Sequence, residues 1–310
     1  MFSGSIDPHY AIAGFVVGAL VGVTGVGGGS LMTPILIVLF GVSPATAVGT
    51  DLLFAAVTKT AGSLVHGFNR TIDWQVVRRL ATGSIPTTAL ALLVLSWLNM
   101  RTGSANQIVT AVLAVALLLT AGALIARNRI SKLYAQRMVN LNERSIARLT
   151  VAMGAMLGIL VTFSSVGAGA IGVTALVLLY PLLPMARIVG SDIAHAVPLT
   201  LIAGLGHGLM GSVDLFTLMS LLAGSLPGIF VGSSISVRVP DAALRYVLAA
   251  ALIVVGGKLA LDLSAQPKTS VGVARMTPAS QSGCKVGETV STGSVAAERK
   301  GSASKFRPNC

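Results

Sequence analysis

The sequence predicts an all-α polytopic membrane protein made of two homologous halves, and three observations lead there. Apolar residues make up 54% of the 310 and charged residues only 10%, with a mean hydropathy of +0.83. Soluble domains carry about a quarter charged residues, so this chain cannot cover a water-facing surface. Apolar runs of spanning length recur at 45–65, 80–98, 106–126, 191–206, 215–235 and 243–261, and roughly 17–25 such residues cross the hydrocarbon core as a helix. Finally, the chain repeats itself at an offset of 140 to 141 residues.

The repeat is carried by rare polar residues as well as by composition. "GALVGVTGVGGGSLMTPILIVLF" (18–40) lies over "GILVTFSSVGAGAIGVTALVLLY" (158–180), and "VGTDLLFAAVTKTAGSLVHG" (48–67) over "VGSDIAHAVPLTLIAGLGHG" (189–208). Asp51 therefore matches Asp192, His66 matches His207, Asp73 matches Asp214 and Pro86 matches Pro227. The domain reading follows: a first transmembrane repeat over 1–126, a basic cytoplasmic linker over 127–149, a second repeat over 150–262, and a disordered polar tail over 263–310. Ser, Gly, Lys and Thr dominate that tail without periodicity.

Each half opens on a broken apolar segment. In the first, Gly25 to Ser30 interrupts residues 11–41. The pieces on either side would be helices of roughly 21 Å and 16 Å, each too short for a 30 Å core. They form either one broken span or a hairpin with both ends on one side. Charge favours the hairpin, because a hairpin followed by three full spans puts Arg70, Arg78 and Arg79 on the same side as the basic linker, and basic loops mark the cytoplasmic side. The N-terminus is then outside and the second half is inverted relative to the first. No Lys or Arg occurs in residues 1–10, so a cleaved signal peptide is not expected.

The remaining charge excludes other classes. Net charge is +12, but the basic residues cluster beside spans, which is membrane topology rather than a nucleic-acid surface. The two cysteines, Cys284 and Cys310, lie in the tail and define neither a disulfide framework nor a metal site. Metallopeptidase, nucleotide-loop, dinucleotide and paired C-x-x-C motifs are absent from the sequence, so no cofactor, no metal and no catalytic residues are expected.

Chemistry concentrates at the breaks and in the spans after them. Non-helical backbone at membrane depth survives only inside protein or beside a water-filled cavity, and the N–H groups of a helix N-terminus attract anions. Gly27, Gly28, Gly29 and Ser30 with Thr50, and Ser164, Ser165, Gly167 and Gly169 in the second half, are the candidate cradle for a small anion. Pro34 suits the first turn of the helix after the break. Gly14 and Gly18, four apart, suit close helix packing instead. Ionisable residues at membrane depth usually face a cavity and mark substrate or proton routes. Here they are Asp51, Lys59 and His66 in one half and Asp192, His195 and His207 in the other. Lys59 must pair with Asp51 or Asp192, lose its proton, or attract the substrate directly. His195 lies three residues beyond Asp192, where the two could hydrogen-bond. Asp73 and Asp214 each precede an apolar run and should cap the next helix.

The glycine break, "AVGTDLLFAAVTKTAGSLVHGFNRTIDW", "GSIP" and the degenerate second copy resemble the sulfite exporter TauE/SafE family over residues 11 to about 262. That resemblance implies a bacterial inner-membrane permease for anions, mainly sulfur-containing ones such as sulfite, sulfoacetate and related organosulfonates. The expected function is a secondary carrier, an exporter of a small anion with protons as a coupling ion. The rivals are a channel or cation transporter using the aspartates, and a membrane-embedded enzyme. The expected partners are the anion and the lipid bilayer; homo-oligomerisation stays open.

Overall fold

The computed structural model describes residues 7–24, 29–102, 105–139, 142–167, 169–235 and 241–265. Gly25, Gly27, Gly28 and most of the polar tail lie outside them. Every regular element among the described residues is helical: α1 (Pro8–Thr24), α2 (Gly29–Val38), α3 (Pro44–Phe68), α4 (Trp74–Thr102), α5 (Ala105–Val139), α6 (Glu143–Ser164), α7 (Ala170–Leu179), α8 (Met185–Leu209), α9 (Leu215–Ile235) and α10 (Asp241–Ala265). Five segments within them are long and apolar enough to cross a membrane: Trp74–Leu98, Gln107–Ala126, Glu143–Ser164, Met185–Leu209 and Leu215–Gly232.

Local chemistry sets the helix starts. Ser43 caps α3, its hydroxyl accepting from Thr46 N–H at 3.4 Å, with Pro44 in the first turn. Asp73 Oδ1 accepts from the N–H groups of Gln75 (3.1 Å) and Val76 (3.3 Å), and Asp214 Oδ1 from those of Phe216 (3.0 Å) and Thr217 (3.3 Å). Both aspartates are thus the helix caps that the sequence predicts.

Two local expectations are corrected. The helix after the first break begins at Gly29, so Pro34 lies inside α2 rather than in its first turn. There it withholds the N–H that would reach the Ser30 carbonyl four residues earlier. And residues 127–139 are not loop: α5 continues through them to Val139 and α6 starts at Glu143. Leu, Ala, Arg, Lys, Gln and Met are good helix formers, so charge there marks the end of the membrane span rather than of the helix.

The helices pack in reciprocal pairs. α1 lies on α9 and α4 on α6, while α3 crosses α8 and α5 crosses α10. Close backbone approach holds the first two pairs. A Cβ on Gly14 or Gly18 would overlap the backbone of Leu221 or Ser225, and one on Gly224 that of Ala11. In the other pair, a Cβ on Gly154 or Gly158 would overlap the backbone of Leu80 or Ser84, and one on Gly83 that of Val151. Gly14 and Gly18 therefore serve packing, as their spacing predicts. Residue order along these contacts makes α1 parallel to α9 and α4 parallel to α6. By contrast α3 and α8 are antiparallel, because Gly49 meets His207 and Gly190 meets His66.

Two hydrogen bonds repeat the same reciprocity. Asp73 N–H donates to Ser191 Oγ at 2.8 Å, and Asp214 N–H donates to Thr50 Oγ1 at 3.1 Å. In each, a hydroxyl in the first turns of one crossing helix holds the cap of the helix that follows the other.

The broken segments are hairpins. The Tyr10 ring, at the start of α1, stacks on Phe40, just past α2, with centroids 4.3 Å apart. Thr150, near the start of α6, is hydrogen-bonded to the Tyr180 hydroxyl, just past α7, at 2.9 Å. So α2 and α7 each return the chain toward the end from which α1 and α6 set out. The two hairpins enter from opposite ends. Arg70, Arg78, Arg79, Arg144, Arg148 and Arg187 gather at the end where α6 begins and α7 finishes, with Arg79 paired to Glu143 at 2.9 Å and Arg187 to Asp73 at 3.7 Å. Of the connections at the other end, 39–43 and 210–214 hold no Lys or Arg, while Arg101 lies in the last turn of α4.

Candidate functional site

The two half-helices stop inside the protein, and a buried carboxylate meets each. At α2, Asp51 Oδ2 accepts from the backbone N–H of Thr33 at 3.2 Å and from the Thr33 hydroxyl. Ser165, in the second break, faces the same carboxylate. At α7, the Asp192 carboxylate lies directly over Gly172, where any side chain would collide with Oδ1. Both aspartates are essentially without solvent exposure, and a helix N-terminus is where a buried anion finds compensating dipole. Asp51 Oδ1 and Asp192 Oδ1 find no hydrogen-bond partner among the described residues.

Between them lies Lys59, 5% exposed, close enough to interact electrostatically with Asp192 and Asp51. A buried ammonium among apolar helices is held by such partners or not at all. The antiparallel register of α3 and α8 sets Asp51 and Asp192 roughly 20 Å apart along the helix axis at 1.5 Å per residue. Lys59 stands at an intermediate depth.

The second break shows how its backbone is spent. Ser165 adopts φ 56° and closes α6, its N–H bonded to Val161 O at 2.7 Å, and Val166 N–H bonds to Ser164 Oγ at 3.2 Å. Gly167 and Gly169 sit at φ 118° and 121°, conformations that L side chains rarely adopt. Ile171 and Gly172 N–H both turn back to Gly167 O, at 3.2 and 3.1 Å. The donors of Ser165, Val166, Ile171 and Gly172 are therefore already committed within the break. In the first half, Gly29 and Ser30 form the first residues of α2, and Gly27 and Gly28 lie outside the described residues.

The histidines divide. His195 does not pair with Asp192 among the described residues; its Nε2 lies 2.8 Å from Ser84 Oγ and ties α8 to α4. Sharing a helix face did not decide the partner, because a neighbouring helix offered a better-placed hydroxyl. His207 is fully buried and its Nε2 donates to the Thr162 carbonyl at 2.9 Å. His66 Nδ1 lies 2.8 Å from Thr71 Oγ1 at the far end of α3. Thr50 is buried with its hydroxyl engaged by Asp214 N–H, so it clasps two helices rather than facing the breaks.

A cleft of about 310 Å³ reaches Lys59 from the arginine-rich end. It runs between α1, α3, α8 and α9, with Lys59 and Thr58 at its base and His66 towards its outer end. Thr33, Ser84, Thr71 and Thr162, the partners of these ionisable groups, escaped sequence reasoning. Hydroxyls are common in apolar helices, and nothing in the sequence sets these four apart.

The profile of the family described as sulfite exporter TauE/SafE matches residues 10–259. The chain is 38% identical over 249 residues to the probable membrane transporter protein YjnA of Bacillus subtilis (strain 168), covering 80% of this chain and 97% of that one. It is also 37% identical over 70 residues to the probable membrane transporter protein YunE of the same organism, covering 23% of this chain and 26% of that one. No solved structure matches it significantly. With its helices broken at two places and Lys59 buried near two aspartates, this multi-pass helical chain belongs to the sulfite exporter TauE/SafE family.

Proposed function

We propose that this membrane transporter is a secondary carrier of a small anion, sulfite or an organosulfonate first among candidates, exported with proton coupling. The reading is carried by Lys59, a cation buried at membrane depth between two carboxylates that each face a half-helix N-terminus. The inverted duplication belongs to the same proposal, and supplies two related half-sites that meet near the middle of α3 and α8. The arginine-rich end is the cytoplasmic one by charge, so the cleft beside Lys59 is the loading route from inside. No nucleotide-binding motif occurs in the sequence, which leaves ion gradients as the energy source.

Charge balance gives the coupling. With Asp51 and Asp192 both ionised, one ammonium faces two carboxylates and the cluster is net negative. An anion enters such a site favourably only when a carboxylate is neutralised, so proton binding and anion binding are linked. Asp51 and Asp192 are the proton carriers, and His195, His66 and His207 hold helix positions around them. The anion meets Lys59, Gly29, Ser30, Gly167 and Gly169, while Ser164 and Ser165 shape the second break and Thr50 holds the cap of α9.

The same charge count favours a second reading, a cation carrier or channel using Asp51 Oδ1 and Asp192 Oδ1. Purified protein in proteoliposomes separates the two. Lys59→Ala and Asp192→Asn, made at wild-type yield, should each abolish uptake of labelled sulfite or sulfonate driven by a pH gradient. Unchanged uptake in both variants sinks the anion mechanism, and movement of sodium or potassium without any anion establishes the cation reading.

A further inference from the structure

The helices α3 and α8 end in the same turn, but only one of them ends on the residue that the turn suits. At the end of α8 the N–H of Gly211 returns to Gly208 O at 3.0 Å and that of Ser212 to His207 O at 2.9 Å, with Gly211 at φ 72°. At the end of α3 the N–H of Arg70 returns to Gly67 O at 3.1 Å and that of Thr71 to His66 O at 3.0 Å, with Arg70 at φ 53°. This left-handed closing position usually holds glycine, because a side chain there crowds the backbone. Arg70 takes it at a cost in stability, and a strained residue with a charged side chain points to a function.

The surface around Arg70 differs from its counterpart in the same way. Counting 141 residues onward, Phe68, Arg70, Trp74 and Arg78 correspond to Leu209, Gly211, Leu215 and Met219, and every one of them is exposed. One corner is aliphatic and uncharged; the other is aromatic and doubly cationic. Trp74 and Arg78 lie one turn apart on the same face of α4. The Arg78 Nε–H donates to the Trp74 carbonyl at 3.3 Å, which draws the guanidinium back towards Arg70. The acids at this end are spent elsewhere: Asp73 caps α4 and pairs with Arg187, and Glu143 pairs with Arg79. Neither Arg70 nor Arg78 pairs with an acid among the described residues. Membrane topology asks for positive charge at this end, but it does not ask for it on a left-handed residue placed in sequence between two exposed aromatic rings.

We infer that this corner binds the headgroup of an anionic phospholipid, its phosphate held between Arg70 and Arg78 and its acyl chains against Phe68 and Trp74. Guanidinium groups suit phosphate oxygens through paired N–H donors, and aromatic rings settle at the level of lipid headgroups. The site is separate from Lys59 and its cleft, and it does not depend on what is carried. A lipid seated there steadies the turn whose Thr71 hydroxyl holds His66 at the outer end of the cleft.

The test uses the full chain carrying Trp97→Phe, which leaves Trp74 as its one tryptophan, in nanodiscs containing brominated lipids that quench indole fluorescence. Brominated phosphatidylglycerol should quench Trp74 at a much lower mole fraction than brominated phosphatidylcholine, each arginine contributing about fivefold. Arg70→Gly and Arg78→Met, which copy the uncharged corner, should each remove about fivefold of that preference. Arg70→Gly should at the same time raise the melting temperature in neutral detergent by about 2–4 °C, so its loss of lipid cannot be a loss of fold. Equal quenching by the two lipids, or a preference that survives both substitutions, overturns the inference and leaves these arginines to topology alone. An Arg70→Gly protein no more stable than wild type likewise overturns it, since the strain would then not exist. Loss of the preference on adding inorganic phosphate, but not sodium chloride at the same ionic strength, overturns it in favour of a soluble phosphate.

Discussion

The crossing helices α3 and α8 occupy equivalent places and do different things. Both are 25 residues long, and each carries an aspartate as its eighth residue and a histidine near its end. Where α3 has Lys59, however, α8 has Thr200, whose hydroxyl donates to its own Ala196 carbonyl at 2.8 Å. Around Lys59 the protein leaves a cleft, with His66 only half-buried. Around Thr200 it fills the space: Leu53 lies on Gly204, Leu92 on Gly206, and His207 is fully buried. The framework is shared while the charge and the opening belong to one half. A reciprocal scaffold can therefore present one binding surface rather than two.

The largest effect should come from breaking that asymmetry at its cation. Lys59→Gln should lower transport by about a hundredfold or more, the scale expected when one member of a buried charge cluster is removed. Thr200→Val, its counterpart, should leave transport within about twofold. Equal losses in the two variants, measured as initial uptake rates in proteoliposomes, would make the site symmetric and remove Lys59 from its special place.

Next come the glycines on which the reciprocity rests. Gly83→Ala and Gly224→Ala each drive a Cβ into backbone, of Val151 and Ala11 respectively. Overpacking of this kind costs about 1–3 kcal/mol, so both should lower the melting temperature in detergent, by similar amounts. Gly122→Ala, facing open space within a helix, should hold or raise it. A large difference between the first two would show that α1–α9 and α4–α6 are not equivalent joints.

Much of this framework could be read from the sequence because its causes are local or compositional. Spans follow from runs of apolar residues, and the caps Asp73 and Asp214 from an acid placed before such a run. Partners across helices are another matter. The face shared by Asp192 and His195 suggested a pair, but Ser84 on α4 takes the imidazole, and no spacing within α8 could reveal it. The commitment of Ser165 and Val166 N–H inside the second break was equally hidden, since it depends on the backbone turn itself. The extension of α5 to Val139 was missed for a different reason: charge reports where lipid ends, and the helix does not end with it.

The histidines give a smaller contrast. His207→Gln in the sealed half leaves the Thr162 carbonyl short of its imidazole donor, or reaches it with poor geometry, and should cost about 1–2 kcal/mol in thermal stability. His66→Gln at the half-open end keeps a donor near Thr71 and has water at hand, and should cost less than about 0.5 kcal/mol. Equal costs would mean that both ends of the α3–α8 crossing are sealed alike.

The finest comparison concerns the two clasps. Thr50→Val and Ser191→Ala each remove a hydroxyl acceptor from a cap N–H, that of Asp214 or of Asp73. A single intramolecular hydrogen bond contributes about 0.5–1.5 kcal/mol, and both hydroxyls are buried, so the expected losses are near 1 kcal/mol and alike. Additivity tests whether the clasps act separately. They sit at opposite ends of the α3–α8 crossing and share no partner, so the double variant should lose the sum of the two to within about 0.5 kcal/mol. A clear excess over that sum would mean that loosening one end of the crossing loosens the other. Such end-to-end coupling is what a carrier needs if its two ends are to open in alternation, and its absence would locate the moving joint elsewhere, at the hairpins.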